Sequence, residues 1–169
     1  MLINFAYKLV LNNFIYMGTK TLALQRVKAE YEDLANNQVP SMIVMSTNPL
    51  QWDGELIGPE GTPYANQKFH FTILFPESYP FHPPEFRFRS PKVYHPNIMI
   101  GDQDGGMVHI RMLKTWTDTC SARQLLMFVY EHFMKPDLFC IGNNPEAALN
   151  YRDNPQLFAQ RVQEYMASH

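Results

Sequence analysis

The sequence predicts an α+β domain: a four-stranded antiparallel meander packed against an N-terminal helix and C-terminal helices. Four short apolar or alternating segments follow one another, separated by turn signals, which favours antiparallel neighbours over strands joined by helical crossovers. Segments with helical spacing lie before and after these four, so helices and strands are segregated along the chain. A chain of 169 residues is long enough for one such domain with a sizeable core.

The first helix is predicted over Thr19–Asn37, with Thr19 or Thr21 as its N-cap. Apolar residues recur near helical spacing, polar residues fill the other positions, and Pro40 lies just beyond the end. The apolar positions are Leu22, Leu24, Val27, Tyr31 and Leu34. This pattern indicates a helix with one face against the core.

Four strands are predicted at Ser41–Ser46, Gln51–Ile57, Lys68–Phe75 and Glu85–Arg89. The third is the clearest, because Phe69, Phe71 and Ile73 alternate with other residues as in a half-buried strand. Asn48-Pro49 and the Gly/Pro-rich segment 58–63 are turn signals between strands. Three further helices are predicted over Ala122–Met134, over Pro145–Tyr151, and from Pro155 to about Ala167. The first of these three has Ser121 as its predicted N-cap, and its predicted apolar face is Leu125, Leu126, Val129 and Phe133.

Composition and charge argue against some classes of function. The net charge is −2, and no long run of one sign occurs, so we do not expect a nucleic acid partner, which would require a clustered basic patch. The two cysteines, Cys120 and Cys140, are not in metal-ligand spacing, so we predict neither a metal site nor a cofactor. Free thiols favour a reducing compartment, the cytoplasm or nucleus.

We divide the chain into an N-terminal extension, residues 1–18, and a core, residues 19–169. The basic residues among the first 29 are Lys8, Lys20, Arg26 and Lys28, and no acidic residue occurs there. Residues 1–17 are mostly apolar. They include too many polar residues, and they are too few, to form a membrane-spanning helix. Three interpretations stay open: a helix lying on this domain or on a partner, a mitochondrial targeting segment, and a helix on a membrane surface.

The stretch Tyr79–Leu113 is unusual because it holds five of the thirteen prolines. Proline fixes φ and donates no backbone hydrogen bond, so this density excludes a helix and favours a rigid, turn-rich wall. At its centre lies the HPN loop (His95-Pro96-Asn97), in which one polar residue precedes and one follows a proline with a fixed φ angle. An apolar run, Met107–Leu113, follows. We therefore treat this stretch as the candidate site.

Several motifs, in this order, resemble those of ubiquitin-conjugating enzymes. They are Gly58-Pro59 with Thr62-Pro63-Tyr64, Phe75-Pro76 with Tyr79–Pro84, Tyr94–Ile98, Trp116, and Asn144–Ala148 with Tyr151. The resemblance covers the chain from about Leu24 to Tyr165. It implies a UBC-like fold, a four-stranded meander with an N-terminal helix and C-terminal helices.

The chain departs from this family at the nucleophile. In active members a cysteine lies about eight residues beyond the HPN asparagine, and its thiolate takes ubiquitin as a thioester. Gly106–Leu113 fits that segment and places His109 at the cysteine position, after a loop about four residues longer than usual. Without that insertion the spacing falls on Gly105, and no cysteine lies between Asn97 and Thr119. The sequence therefore predicts no ubiquitin transfer.

The resemblance defines a degenerate site of His95, Asn97, His109 and Cys140. His109 as an acyl acceptor would form a readily hydrolysed acyl-imidazole, so a structural hydrogen bond or a binding role is favoured over catalysis. Cys140 falls where the family carries acidic residues and is either a reactive thiol paired with His109 or a small buried residue. Without the cysteine, His95 and Asn97 are expected to serve as scaffold. Cys120 is expected in the core or at a helix start.

The resemblance also implies partner-binding residues. Ligases of this family dock on the loops that carry Phe81 and Thr117, although Phe81 could instead belong to the core. The activating enzyme docks on the first helix, which here carries Arg26 and Lys28.

These observations together predict a catalytically inactive binding or structural subunit of a larger protein assembly, held partly by residues 1–18. The expected partners are proteins, with proteins of the ubiquitin pathway as one class, and a membrane surface stays open as an alternative. Two alternatives remain: an active or residually active conjugating enzyme, and an organellar or membrane-associated assembly subunit.

Overall fold

The computed structural model describes residues 2–90, 92–99, 106–139 and 144–168. Its elements, in chain order, are α1 (Leu2–Asn36), β1 (Met42–Asn48), β2 (Gln51–Ile57), β3 (Lys68–Leu74), β4 (Glu85–Ser90), α2 (Arg111–Lys114), α3 (Ala122–Met134), α4 (Pro145–Asp153) and α5 (Pro155–Ala167). The predicted α+β class and the four-stranded meander are confirmed. The single turn α2 was not predicted, because four residues are too few to show a helical period.

The strands form one antiparallel sheet in the order β1-β2-β3-β4. Trp52 lies opposite Ile73, which lies opposite Phe86, so the three side chains share one face and all are fully buried. This face forms one wall of the core. Gly54 lies between the aromatic residues of this face, and a Cβ there would lie 2.4 Å from the ring of Phe71. The packed ring occupies the space that a side chain would need.

Helix α1 begins at Leu2, so the predicted start at Thr19 or Thr21 is wrong. The Thr21 hydroxyl donates to the Met17 carbonyl at 2.9 Å, four residues earlier, which is a bond within a helix and not a cap. The 35 residues of α1 give a length of about 52 Å. The boundary at residue 18 therefore lies inside one continuous helix. Within the described part of the chain, no helix is long and apolar enough to cross a membrane.

The described side chains of α1 enter the core from Ala23 onward. Ala23, Val27 and Leu34 are buried at helical spacing, as predicted for Val27 and Leu34. Met17 is 66% exposed, and Leu22 is also exposed. The second half of α1 thus packs on the domain through a single face.

Helix α3 has the predicted bounds and the predicted cap. The Ser121 side chain accepts from the Gln124 N–H, and the Gln124 side chain accepts in return from the Ser121 N–H, which forms a capping box. The predicted apolar face of α3 is buried. Asn144 and Asn154 cap α4 and α5, each followed by a proline at the first helical position. These caps fix where the C-terminal helices begin.

Candidate functional site

His95 is fully enclosed, and its two ring nitrogens have fixed roles. Nε2 lies 3.0 Å from the His132 carbonyl oxygen and therefore donates, while Nδ1 accepts from the Asn97 backbone N–H at 3.0 Å. The ring also stacks on Phe133, with centroids 5.2 Å apart. Burial lowers the pKa of His95 to about 3, so the imidazole is neutral at pH 7. His95 joins the HPN loop to the C-terminal end of α3.

The side-chain amide of Asn97 is held by the backbone of one residue. Its Nδ2 donates to the Asp137 carbonyl at 2.8 Å, and its Oδ1 accepts from the Asp137 N–H at 3.0 Å. The Asp137 carboxylate in turn accepts from the Phe139 N–H at 2.9 Å and lies 3.6 Å from the Arg111 guanidinium. Asn97 therefore clamps the HPN loop to the segment that follows α3.

The segment from Gly106 to His109 lies as a short strand between β4 and the HPN loop. The Phe88 N–H donates to the Gly106 carbonyl at 2.8 Å, and the Val108 N–H donates to a β4 carbonyl at 3.0 Å. On the other side, the His109 N–H donates to the Asn97 carbonyl at 2.8 Å. The structure thus places residue 109 directly beside the HPN asparagine.

The His109 ring is half-buried. Burial, and then the charge of Lys114, hold the pKa of His109 below its ordinary value, which favours the neutral imidazole. His109 forms a hydrogen bond through its backbone N–H. No described residue forms a hydrogen bond with the His109 ring. The predicted side-chain hydrogen bond is therefore not formed within the described part of the chain. The predicted pairing with Cys140 lies outside the described residues.

Cys120 lies just before α3 and packs partly against the core, as predicted. Its sulfur is 3.5 Å from the Thr117 hydroxyl, and its carbonyl accepts from Arg26 at 3.0 Å. Asn97 is clamped beyond the opposite end of this 13-residue helix, which is about 20 Å long. Cys120 therefore does not take part in the degenerate site.

The loops carrying Phe81 and Thr117 lie side by side. The Trp116 indole N–H donates to the Pro80 carbonyl at 2.7 Å and joins them. Phe81 is 54% exposed, and Thr117 is also exposed, with its hydroxyl on that of Thr119. Phe81 is therefore a surface residue, not part of the core, while its role in binding a ligase stays a prediction.

The two basic residues of α1 have different surroundings. Lys28 is exposed and lies 3.9 Å from Glu32. Arg26 bonds to the buried carboxylate of Glu30, which also accepts from the Tyr79 hydroxyl at 2.8 Å and the Ala122 N–H at 2.7 Å. Arg26 thus belongs to an internal network that joins α1 to the proline-rich wall and α3. Its role in binding a partner stays a prediction.

The comparison with known families identifies this arrangement. The profile described as "Ubiquitin-conjugating enzyme" matches residues 26–166. The chain belongs to the ubiquitin-conjugating enzyme family. The match begins within α1 and ends within α5, so it includes the whole sheet, the HPN loop and the segment that carries His109.

Individual members of the ubiquitin-conjugating enzyme family are similar over most of the chain. "Probable ubiquitin-conjugating enzyme E2 31" of Arabidopsis thaliana is 33% identical over 152 residues, which cover 87% of this chain and 93% of that protein. The human "Ubiquitin-conjugating enzyme E2 K" is 31% identical over 149 residues, which cover 82% of this chain and 70% of that protein. A Plasmodium yoelii crystal structure assigned as a ubiquitin conjugating enzyme has a TM-score of 0.71 at 27% identity, covering 86% and 93%.

Sequence reasoning missed two residues that organise the structure, Asp137 at the site and Glu30 at the opposite end of α3. Glu30 has a detectable signal, because it lies at helical spacing between the apolar residues Val27 and Leu34 and therefore on the buried face. Asp137 has none, because its clamp to Asn97 uses backbone groups that any residue carries.

Proposed function

We propose that this chain is a catalytically inactive ubiquitin-conjugating-enzyme fold that acts as a binding or structural subunit of a protein assembly. The observation that carries the proposal is the position of His109. Its backbone N–H bonds to the Asn97 carbonyl at 2.8 Å, in the segment that corresponds to the nucleophile segment of active family members. A histidine therefore stands where the family's chemistry requires a thiolate.

The chemistry of thioester transfer supports this proposal. Sulfur combines high nucleophilicity with good leaving ability, so a thiolate can both accept ubiquitin and release it to a lysine. A neutral imidazole would form an acyl-imidazole that water hydrolyses. Arg111, in place of the family's aspartate after the nucleophile, lies 3.6 Å from Asp137. An acidic position of the family's cleft is thus occupied by a guanidinium cation that is paired with a neighbouring carboxylate.

A thioester assay tests the loss of transfer. The purified full chain is incubated with activating enzyme, ATP and ubiquitin, beside an active family member as positive control, and adducts are separated with and without reductant. We expect no reducible adduct on the wild-type chain. A reducible adduct that persists in Cys120→Ser but disappears in Cys140→Ser would overturn the proposal and make the chain a conjugating enzyme.

The role as a binding subunit rests on exposed groups that the fold itself does not use. Phe81 is more than half exposed on a loop fixed by Trp116, and Lys28 is exposed on α1. Copurification with the tagged full chain, compared with Phe81→Ala and with a chain lacking residues 1–18, tests this role. We expect a stable protein partner that at least one of the two changes removes. Recovery of the tagged chain without any partner protein would contradict this binding role.

A further inference from the structure

The two edges of the sheet differ in how they are protected. The segment that precedes His109 covers the β4 edge through the Gly106 and Val108 backbone bonds. The β1 edge pairs with β2 on one side, and no described residue pairs with it on the other. An uncovered edge strand presents N–H and C=O groups that can pair with another chain.

Val44 presents two such groups at the centre of β1. The Ile57 N–H donates to the Ser41 carbonyl at 2.7 Å. Together with the register, this bond determines which residues of β1 direct their backbone groups toward β2. Because inward and outward groups alternate along an antiparallel strand, Ile43 and Met45 direct their backbone groups toward β2 and Val44 directs its own away. No described residue bonds to the Val44 N–H or carbonyl. The middle of the edge is therefore open.

The side chains of β1 do not protect this edge. Met42–Asn48 contains no charged residue and no proline, although charges and prolines are what edge strands commonly use to prevent pairing. Ile43 and Met45 lie on the outer face of the sheet and are 56% and 54% exposed. On the inner face, a groove of about 210 Å³ between α1 and β1 is lined by apolar residues, among them Leu34 and Val44. The edge is thus apolar on both faces.

We propose that β1 is a self-association edge, where a second copy of this chain adds its own β1 antiparallel about a two-fold axis at Val44. The Val44 residues of the two copies would then exchange both N–H···O=C bonds, forming one eight-stranded sheet from two four-stranded ones. The proposal does not depend on whether the cleft is active, because β1 is separate from the residues around His109.

A second copy is the occupant that this register favours. When Val44 faces Val44, Ile43 of one copy lies opposite Met45 of the other, and Met45 opposite Ile43. The two exposed apolar side chains of each copy therefore become cross-strand pairs, which stabilise a sheet. No charged residue of either β1 is brought against another. One added strand pair buries less area than a standard interface of roughly 1,600 Å², so we expect a weak dimer that depends on concentration.

A charge-pairing experiment tests the register. Sedimentation velocity is run on the full chain from roughly micromolar to roughly millimolar concentration, with two double variants of the exposed positions. Ile43→Lys/Met45→Lys places like charges opposite each other in the proposed register, and Ile43→Lys/Met45→Glu places opposite charges there. Besides this pairing, the two variants differ in net charge and in the charge that residue 45 places opposite Asp53 of β2. Neither of these two differences opposes dimerisation of the Lys/Lys variant, because that variant has the smaller net charge and a lysine opposite Asp53. We expect dimerisation at least about tenfold weaker in the Lys/Lys variant than in the Lys/Glu variant.

Disulfide trapping provides the second measurement, in a Cys120→Ser/Cys140→Ser background. Residues 43 and 45 of opposing copies form a non-hydrogen-bonded pair with Cα atoms about 4.5 Å apart, within the range that a disulfide spans. Mixing an Ile43→Cys chain with a Met45→Cys chain should therefore trap a mixed dimer under mild oxidation, and neither chain alone should do so efficiently. A wild-type chain that stays monomeric to about 1 mM, equal dimerisation of the two charge variants, or no preference for the mixed disulfide would each overturn the proposal.

Discussion

At the centre of the site, the polar atoms of His95 and Asn97 are engaged by the backbone. The imidazole bonds to the His132 carbonyl and the Asn97 N–H, and the Asn97 amide bonds to both backbone groups of Asp137. One of these four bonds, from the Asn97 N–H to the His95 ring, lies within the HPN loop, and the other three join this loop to the end of α3 and to the residues beyond it. Folding therefore provides a sufficient reason for His95 and Asn97 in this loop.

The buried His95 makes stability depend on pH. Its pKa is lowered from 6.5 to about 3, so the unfolded chain binds a proton that the folded chain excludes. The stabilisation that comes from the neutral, buried His95 is fully present above pH 6.5 and is lost as the pH falls toward 3. Between pH 6.5 and 4.5, wild type should lose about 2 kcal/mol more stability than His95→Gln. Urea unfolding at several pH values measures this difference.

The exposed His82 supplies the matched control for this measurement. At pH 7.5, His82→Gln should be about as stable as wild type, because that residue lies at the surface. At pH 7.5, His95→Gln should itself be less stable by about 1–3 kcal/mol, since the substitution disturbs two buried hydrogen bonds. Parallel pH profiles of wild type and His95→Gln would contradict the assignment.

The Asn97 clamp should contribute to stability rather than to chemistry. Asn97→Ala leaves the N–H and carbonyl of Asp137 without their partners, so we expect a loss of about 2–3 kcal/mol in the free energy of unfolding. Asn97→Asp keeps an acceptor for the Asp137 N–H but places a buried carboxylate oxygen against the Asp137 carbonyl, so it should lose at least as much stability as Asn97→Ala. Chemical denaturation of the three proteins measures the order. Unchanged stability in Asn97→Ala would show that the clamp is not structural.

Among the elements, α1, the proline-rich wall and α3 meet at the carboxylate of Glu30. Glu30 accepts from Arg26, Tyr79 and the Ala122 N–H, and burial is the largest cause that raises the pKa of the Tyr79 hydroxyl, followed by Glu30. We expect Glu30→Ala to destabilise the chain by about 3 kcal/mol, because it breaks a buried network. Arg26→Ala combined with Glu30→Ala should lose less than the sum of the two single changes.

Lys28 and Glu32 provide the control on the same helix. They have the same spacing of four residues as Arg26 and Glu30, but both are largely exposed. The double-mutant cycle on this pair should show little coupling, because exposed ion pairs are screened by water. Equal coupling for the two pairs would mean that the Glu30 network is no stronger than a surface contact.

Across the whole molecule, sequence patterns located the elements better than their connections. The bounds of β2 and α3 were predicted to the residue, because the turns on either side of a strand and a capping serine are local signals. The start of α1 was wrong, since a threonine that caps a helix in one context bonds inside it in another. Contacts such as Asn97 with Asp137, 40 residues apart, leave no local pattern. The motif order located the candidate site, but it could not show how its residues are held.

The domain should fold without residues 1–18. Among the side chains of α1 that the structure describes, from Met17 onward, the first buried one is Ala23, and a Cβ at Gly18 would meet nothing within 4 Å. After truncation, Thr19 or Thr21 becomes available as an N-cap. We expect a chain that starts at Thr19 to unfold cooperatively, within about 1 kcal/mol of the full chain. A chain that starts at Gln25 should be clearly less stable, because it also loses the buried Ala23 and the 2.5 Å pair between Lys20 and Glu77. Thermal and urea unfolding of the three chains measure these differences. A chain starting at Gln25 that is as stable as the full chain would show that the core begins later in α1.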